Sequence, residues 1–145
     1  MTDARLAAVV VLAAGEGTRM KSAITPKVLH PLCGRTMLGH VVTTARALQP
    51  EHLVVVVGHS REQVTSHLAE VDPAAEAVVQ EQQNGTGHAV RVALEAVPDL
   101  DGIVVVVPGD APLLTVETLQ ALVAEHAISH AATTLLTAVL DDPTG

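Results

Sequence analysis

Four apolar stretches along the chain show no alternation with polar residues: Ala7 to Leu12, Leu53 to Val57, Ala77 to Val79 and Ile103 to Val107. Strands covered on both faces, as in a parallel sheet, have this pattern. The segments between them have helical spacing. From Thr36 onward, Met37, Leu38, Val41, Val42, Ala45 and Leu48 recur on one face, and Ser60 to Glu70 carries Val64 and Leu68 one turn apart. His88 to Val97 carries Ala89, Val90, Ala93, Leu94 and Val97. After Thr115, a residue type suited to an N-cap, Leu119, Leu122 and Val123 form a fourth stripe. A fifth strand is predicted over Thr133 to Leu140. The resulting β-α-β-α-β-α-β-α-β order predicts an α/β fold, an open and mainly parallel sheet with helices on both faces and right-handed crossovers. Ligands of such sheets bind where the loops converge at the carboxyl ends of the strands.

Arg5 followed by the apolar run Leu6 to Ala14 has the length of a signal-peptide core. The run ends in Gly15-Glu16-Gly17-Thr18-Arg19 with no small-residue cleavage site, and it is too short to span a bilayer, so it is read as a buried strand. The length of 145 residues fits one domain, and the final Asp141-Asp142-Pro143-Thr144-Gly145 reads as a turn with no closing helix.

Composition narrows the function classes. With 48% hydrophobic and 17% charged residues and a mean hydropathy of +0.39, the chain is not of the disordered type. Sixteen acidic side chains against eight Lys and Arg give a formal charge of −8, which disfavours general binding to nucleic acid or to anionic membranes. Any phosphate chemistry must be local. There is no Phe, Tyr or Trp, so no base can stack on a ring of these three types in this chain. The one cysteine, Cys33, fits a reducing compartment, and the expected location is cytoplasmic. Of the eight histidines only His126 and His130 have His-x-x-x-His spacing, with no cysteine near them, and no Cys-x-x-Cys or Gly-x-Ser-x-Gly motif exists. Zinc and covalent hydrolase chemistry therefore have little support.

The candidate chemistry sits just beyond the carboxyl ends of the strands. After the first comes Ala13-Ala14-Gly15-Glu16-Gly17-Thr18-Arg19-Met20-Lys21-Ser22, a loop whose glycines let backbone N–H groups approach an anion and whose cations can neutralise phosphates. Met20 breaks both the dinucleotide fingerprint and the P-loop pattern, and the plain alternative is a β-to-α turn with surface charges. After the fourth strand comes Pro108-Gly109-Asp110. That carboxylate can hold Mg²⁺, which needs only one or two carboxylates plus water and substrate oxygens, or it can serve a turn alone. After the third come Gln80 and Gly85-Thr86-Gly87, where a carboxamide could meet the amide edge of a pyrimidine; a flexible loop is the other reading.

Leu12-Ala13-Ala14-Gly15-Glu16-Gly17-Thr18-Arg19-Met20 with Pro26-Lys27-Val28-Leu29-His30 resembles the signature of sugar-1-phosphate nucleotidylyltransferases. Gln80 through Gly85-Thr86-Gly87-His88-Ala89, Val107 through Leu114, and Asp141 through Gly145 are similar to one branch, the uridylyltransferase domain of bifunctional N-acetylglucosamine-1-phosphate uridylyltransferases. The resemblance runs from about Ala7 to the end. It implies a Rossmann-like fold of the nucleotide-diphospho-sugar transferase type, incomplete at the C-terminus, with residues 1–145 forming the N-terminal, nucleotide-binding portion. It further implies transfer of UMP from UTP to N-acetylglucosamine 1-phosphate, giving UDP-N-acetylglucosamine and pyrophosphate for bacterial cell-wall precursors.

By position, the resemblance implies that Leu12, Ala13, Ala14 and Gly15 begin the nucleotide loop and that Arg19 and Lys27 engage the phosphates. Gln80, Gly85 and Thr86 would hold uracil and ribose, Pro108, Gly109 and Asp110 would bind the nucleotide with Asp110 also the Mg²⁺ ligand, and Gly145 would touch the sugar nucleotide. Pro108 departs from the pattern by standing where a hydroxyl-bearing residue is common. The chain ends before the residues expected to hold the amino sugar and the second metal ligand. Whole family members are expected to be homotrimers through an acetyltransferase domain that this chain lacks. The expectation for the chain itself is weak or no turnover. A nucleotide-binding fragment without turnover, or a transferase using another nucleotide, are the alternative readings.

Overall fold

The computed structural model describes residues 5–15, 25–58 and 60–142. Strand β1 (Leu6–Ala13) is followed by a short 3-10 turn at Lys27–Leu29 and by two short strands, β2 (Pro31–Leu32) and β3 (Arg35–Thr36). Next come α1 (Met37–Ala47), β4 (His52–Val57), α2 (Arg61–Val71), β5 (Glu76–Val79), α3 (Thr86–Ala96), β6 (Ile103–Pro108) and α4 (Val116–Ser129). The main sheet is parallel throughout, in the order β5-β4-β1-β6. The run that mimics a signal-peptide core is β1, a central strand in which every residue from Ala7 to Val11 is buried.

Alternation within the strands divides the core. Val9, Val11, Val55, Val57, Val105 and Val107 pack with residues of α1, α2 and α4 on one face. Val10, Val54 and Val56 pack with Ala89, Ala93 and Val97 of α3 and its C-terminal end on the other. The single helix on the second face follows from the strand order. From β1 the chain steps through β4 to β5, then reverses and returns to the far side of β1 as β6. A crossover that keeps its hand while reversing direction must lie on the opposite face. The reversal creates a switch point at the carboxyl ends of β1 and β6, the place where such sheets hold ligands.

Local chemistry sets the element boundaries. The Thr36 hydroxyl accepts from the Gly39 N–H at 2.9 Å and caps α1, and Thr115 accepts from the Thr118 N–H at 3.2 Å and caps α4. The β2–β3 hairpin, which hydrophobic patterning does not predict, turns on Cys33 and Gly34, both with positive φ (50° and 81°). Two such residues make the tight turn whose twist matches flanking strands.

The expected strand over Thr133 to Leu140 does not form. Residues 133–140 carry no regular structure, and β6 stays at the edge of the sheet. Leu135 is 77% and Val139 98% exposed. β-branched and apolar residues favour an extended backbone, but a strand also needs a ladder partner and a face to cover, and this segment has neither among the described residues. Among the described residues, no helix is long and apolar enough to cross a membrane.

Candidate functional site

The carboxyl end of β1 is held by close backbone approaches. Leu12 pairs with Val56 of β4 on one side and with Pro108 of β6 on the other. Pro108 brings no N–H, which an edge strand tolerates. The next residue restores the link, since the Gly109 N–H donates to the Leu12 carbonyl at 2.8 Å. On the other flank, a Cβ at Gly58 would stand 2.5 Å from the Ala14 carbonyl oxygen, so the backbone after β4 can pass the loop only as glycine. The same oxygen accepts from Gln83 Nε2 at 2.6 Å. The start of the first loop is thus fixed from two sides before any ligand arrives.

Val28 is buried against the helix-covered face and anchors the 3-10 turn that carries Lys27. From there Lys27 Nζ reaches Asp110 Oδ2 at 2.6 Å, across the switch point. Both side chains keep about a third of their surface in solvent (36% and 35%). A pair this open contributes at most about 1 kcal/mol, so an incoming anion and cation can separate it cheaply. His30 closes this turn, its carbonyl accepting from the Met37 N–H at 3.0 Å, while its Nε2 is buried with no partner among the described residues.

Gln80 follows β5, 5% exposed, with its N–H on the Val57 carbonyl at 2.8 Å. Its Nε2 lies 3.2 Å from the Gly85 carbonyl and 2.9 Å from His88 Nδ1. Gly85 caps α3 at φ 89°, a conformation open to glycine, and its carbonyl also accepts from the Ala89 N–H at 3.2 Å. Thr86 and Gly87 begin the helix, whose first N–H groups have no intrahelical partner and favour an anion.

These groups line one cleft of about 620 Å³. Of the predicted residues, Leu12, Ala14, Gly15, Lys27, Gln80, Gly85, Thr86, Pro108 and Asp110 border it. Ala13 and Gly109 do not border it; both are buried below the rim. Arg19 and Gly145 lie outside the described residues. Gln83, Val28 and Ala89 line the cleft without having been expected to, and His88 braces Gln80 from behind. The only sequence signal for Gln83 was the density of carboxamides between β5 and α3, side chains able to satisfy stray backbone groups. A neighbouring hollow of about 680 Å³, lined by Gly58, Arg61, Gln63 and Glu81, shares Gln80 and Gln83 with the cleft.

One carboxylate, one ammonium, a helix start and a carboxamide around an open cleft can bind an anion with its countercation and read a polar ring edge. Among the described residues no three His, Cys, Asp or Glu side chains gather as a metal-ligand cluster, so any metal here would draw most of its ligands from water and substrate.

Comparison with known proteins gives the family of the chain. The chain is 64% identical over 146 residues to the bifunctional protein GlmU of Streptomyces avermitilis, all of this chain aligning with 30% of that protein. It is 65% identical to its counterpart in Streptomyces coelicolor over the same share of each. The chain therefore spans about a third of the length of these curated relatives. Among solved structures, Rv0371c of Mycobacterium tuberculosis H37Rv superposes with a TM-score of 0.73 at 29% identity, covering 88% of this chain and 63% of that one. The family model of MobA-like NTP transferase domains matches residues 9–141, and the chain belongs to that family.

Proposed function

We propose that this chain is the nucleotide-binding part, residues 1–145, of a uridylyltransferase that moves UMP from UTP to N-acetylglucosamine 1-phosphate and releases pyrophosphate. The observation that carries the reading is the Lys27–Asp110 pair at 2.6 Å on a cleft also bordered by Leu12, Gly15, Gln80, Gly85 and Thr86. The high identity to GlmU proteins supports the choice of uridine and amino sugar over other members of the family.

In this reading a phosphate oxygen of the sugar phosphate attacks the α-phosphorus of UTP, the bond from that phosphorus to the bridging oxygen breaks, and pyrophosphate leaves. No covalent enzyme intermediate is needed, so the protein contributes positioning and charge neutralisation. Lys27 exchanges its partner Asp110 for phosphate oxygens. Arg19, outside the described residues, adds a second cation. The N–H groups at Gly15 and at the start of α3 approach anionic oxygens and the ribose. The Gln80 carboxamide meets the uracil edge, and Gly145 touches the sugar nucleotide.

Asp110 is the carboxylate that would hold Mg²⁺. A single hard oxygen donor beside an open cleft suits an ion that keeps several waters and takes the rest of its ligands from phosphates. Bound there, Mg²⁺ would neutralise charge on the phosphate oxygens. A manganese complex is known for Rv0371c, 29% identical to this chain over 85% of its length with a TM-score of 0.68.

The test is a calorimetric titration with UTP in the presence of Mg²⁺, paired with an assay for pyrophosphate release on adding N-acetylglucosamine 1-phosphate. Saturable binding is expected, weakened at least about tenfold by Lys27→Ala and by Asp110→Asn, as loss of a charge-assisted contact should do. Turnover is expected to be very weak or absent in the reading of residues 1–145 as the nucleotide-binding part alone. Binding that ignores both substitutions would sink the reading.

A further inference from the structure

We propose that His88 is a positioning residue that dictates which atom of the Gln80 carboxamide meets the base, and that it thereby makes the cleft select uracil over cytosine. The proposal rests on the uridine reading above and concerns the same site.

The geometry is closed on one side. The Gly85 carbonyl can only accept, so the carboxamide atom 3.2 Å from it must be nitrogen. That nitrogen has two hydrogens and no acceptor capacity. Its second neighbour, His88 Nδ1 at 2.9 Å, must therefore present a lone pair, which places the imidazole proton on Nε2. Both amide hydrogens are then spent, and the carboxamide has only Oε1 to offer the cleft that Gln80 lines.

An acceptor at that point discriminates between pyrimidines. Uracil carries N3–H, a donor, whereas cytosine carries a bare N3, whose lone pair would face Oε1. Gln80 is 5% exposed, so little water is at hand to satisfy a misdirected group. With His88 Nδ1 removed, the Gly85 anchor remains but the second amide hydrogen is released, and the carboxamide can swing about that anchor to offer the base an N–H as well as Oε1. His88 lies in the first turn of α3, three residues beyond the capping Gly85, where its side chain can reach back past the helix start. Helix and loop together hold the selector.

The experiment measures affinity for UTP and for CTP, each with Mg²⁺, in the unaltered chain and in His88→Leu, His88→Asn and His88→Lys, with circular dichroism to check folding. The unaltered chain should prefer UTP. His88→Leu should lower the UTP-to-CTP ratio about tenfold, the effect of one lost buried hydrogen bond. His88→Asn, whose Oδ1 restores an acceptor, should recover most of the ratio. His88→Lys sets a donor against the amide nitrogen and should lower the ratio at least as far as leucine does, which keeps the test decisive if His88→Leu does not fold. A ratio unchanged in the folded variants, or equal weakening of both nucleotides, overturns the role given to His88. An unaltered chain that binds UTP and CTP alike overturns the uridine reading itself and the selector with it.

Discussion

Two glycines, Gly58 after β4 and Gly87 at the start of α3, illustrate how much a single Cβ decides in this chain. At Gly58 an added methyl would meet the Ala14 carbonyl oxygen at 2.5 Å, with the Ala14 backbone and side chain behind it. Neither side can retreat, since that carbonyl is also bound by Gln83. Gly58→Ala should destabilise the fold by about 1–3 kcal/mol, the usual range for overpacking, and should displace Ala14 and Gly15 enough to weaken UTP binding. At Gly87, in the first turn of α3, an added Cβ meets nothing within 4 Å and the backbone is helical. Gly87→Ala should therefore stabilise by about 0.5–1 kcal/mol. Urea denaturation of the two variants measures both values, and a Gly58→Ala midpoint equal to the unaltered chain's would show that the contact has slack. Neither difference can be read from the sequence, where both are glycines in loop-to-helix segments. The contact that separates them comes from a distant part of the chain. Asp110 and Gln80 were legible because each stands just past a strand, and His88 was legible only as part of a motif because its role depends on facing Gln80.

For whole elements, apolar runs succeed as predictors only where a neighbour covers them. Val54 belongs to a run that became β4, and it is 1% exposed between β1 and β5 and under α3. Val139 belongs to a run of similar character and is 98% exposed, because no strand pairs with residues 133–140 among the described residues. Composition cannot separate the two; a hydrogen-bonded partner does. Val54→Ala should cost about 2 kcal/mol, from two lost methylene equivalents and the gap they leave. Val139→Ser should stay within about 0.5 kcal/mol of the unaltered chain, as surface substitutions do. Thermal or urea unfolding of the pair tests this, and a large loss at Val139 would mean that the segment covers the core after all. The hairpin β2–β3 was missed for the opposite reason. Its strands have two residues each, too short for any periodicity, and its turn depends on positive φ at Cys33 as well as Gly34.

Across the molecule, charge and topology act on the same ligand in opposite directions. A chain of formal charge −8 repels a triphosphate at long range. In the proposed reading, association would depend on short-range groups and on a countercation, so that Asp110 beside Lys27 would matter more than the overall balance. The strand reversal brings those groups together: the turn after β6 supplies Asp110, the 3-10 turn at Lys27–Leu29 supplies Lys27, and the β5–α3 connection supplies Gln80 and Gly85. A nucleotide filling the cleft would bridge both halves of the sheet across β1, so its binding energy should appear as resistance to unfolding of the whole domain. At a UTP concentration about one hundred times the Kd, linkage gives about 2.7 kcal/mol. For a chain of this size that should raise the Tm by about 8 °C. Asp110→Asn should leave the Tm of the free protein within about 2 °C, since it removes one exposed ion pair, yet abolish the part of the UTP-induced rise that depends on Mg²⁺. A full rise in that variant would move the cation away from Asp110. A rise in the unaltered chain that is the same with and without Mg²⁺ would leave Lys27 and the helix start to counter the triphosphate, a weaker arrangement whose affinity should fall steeply with added salt.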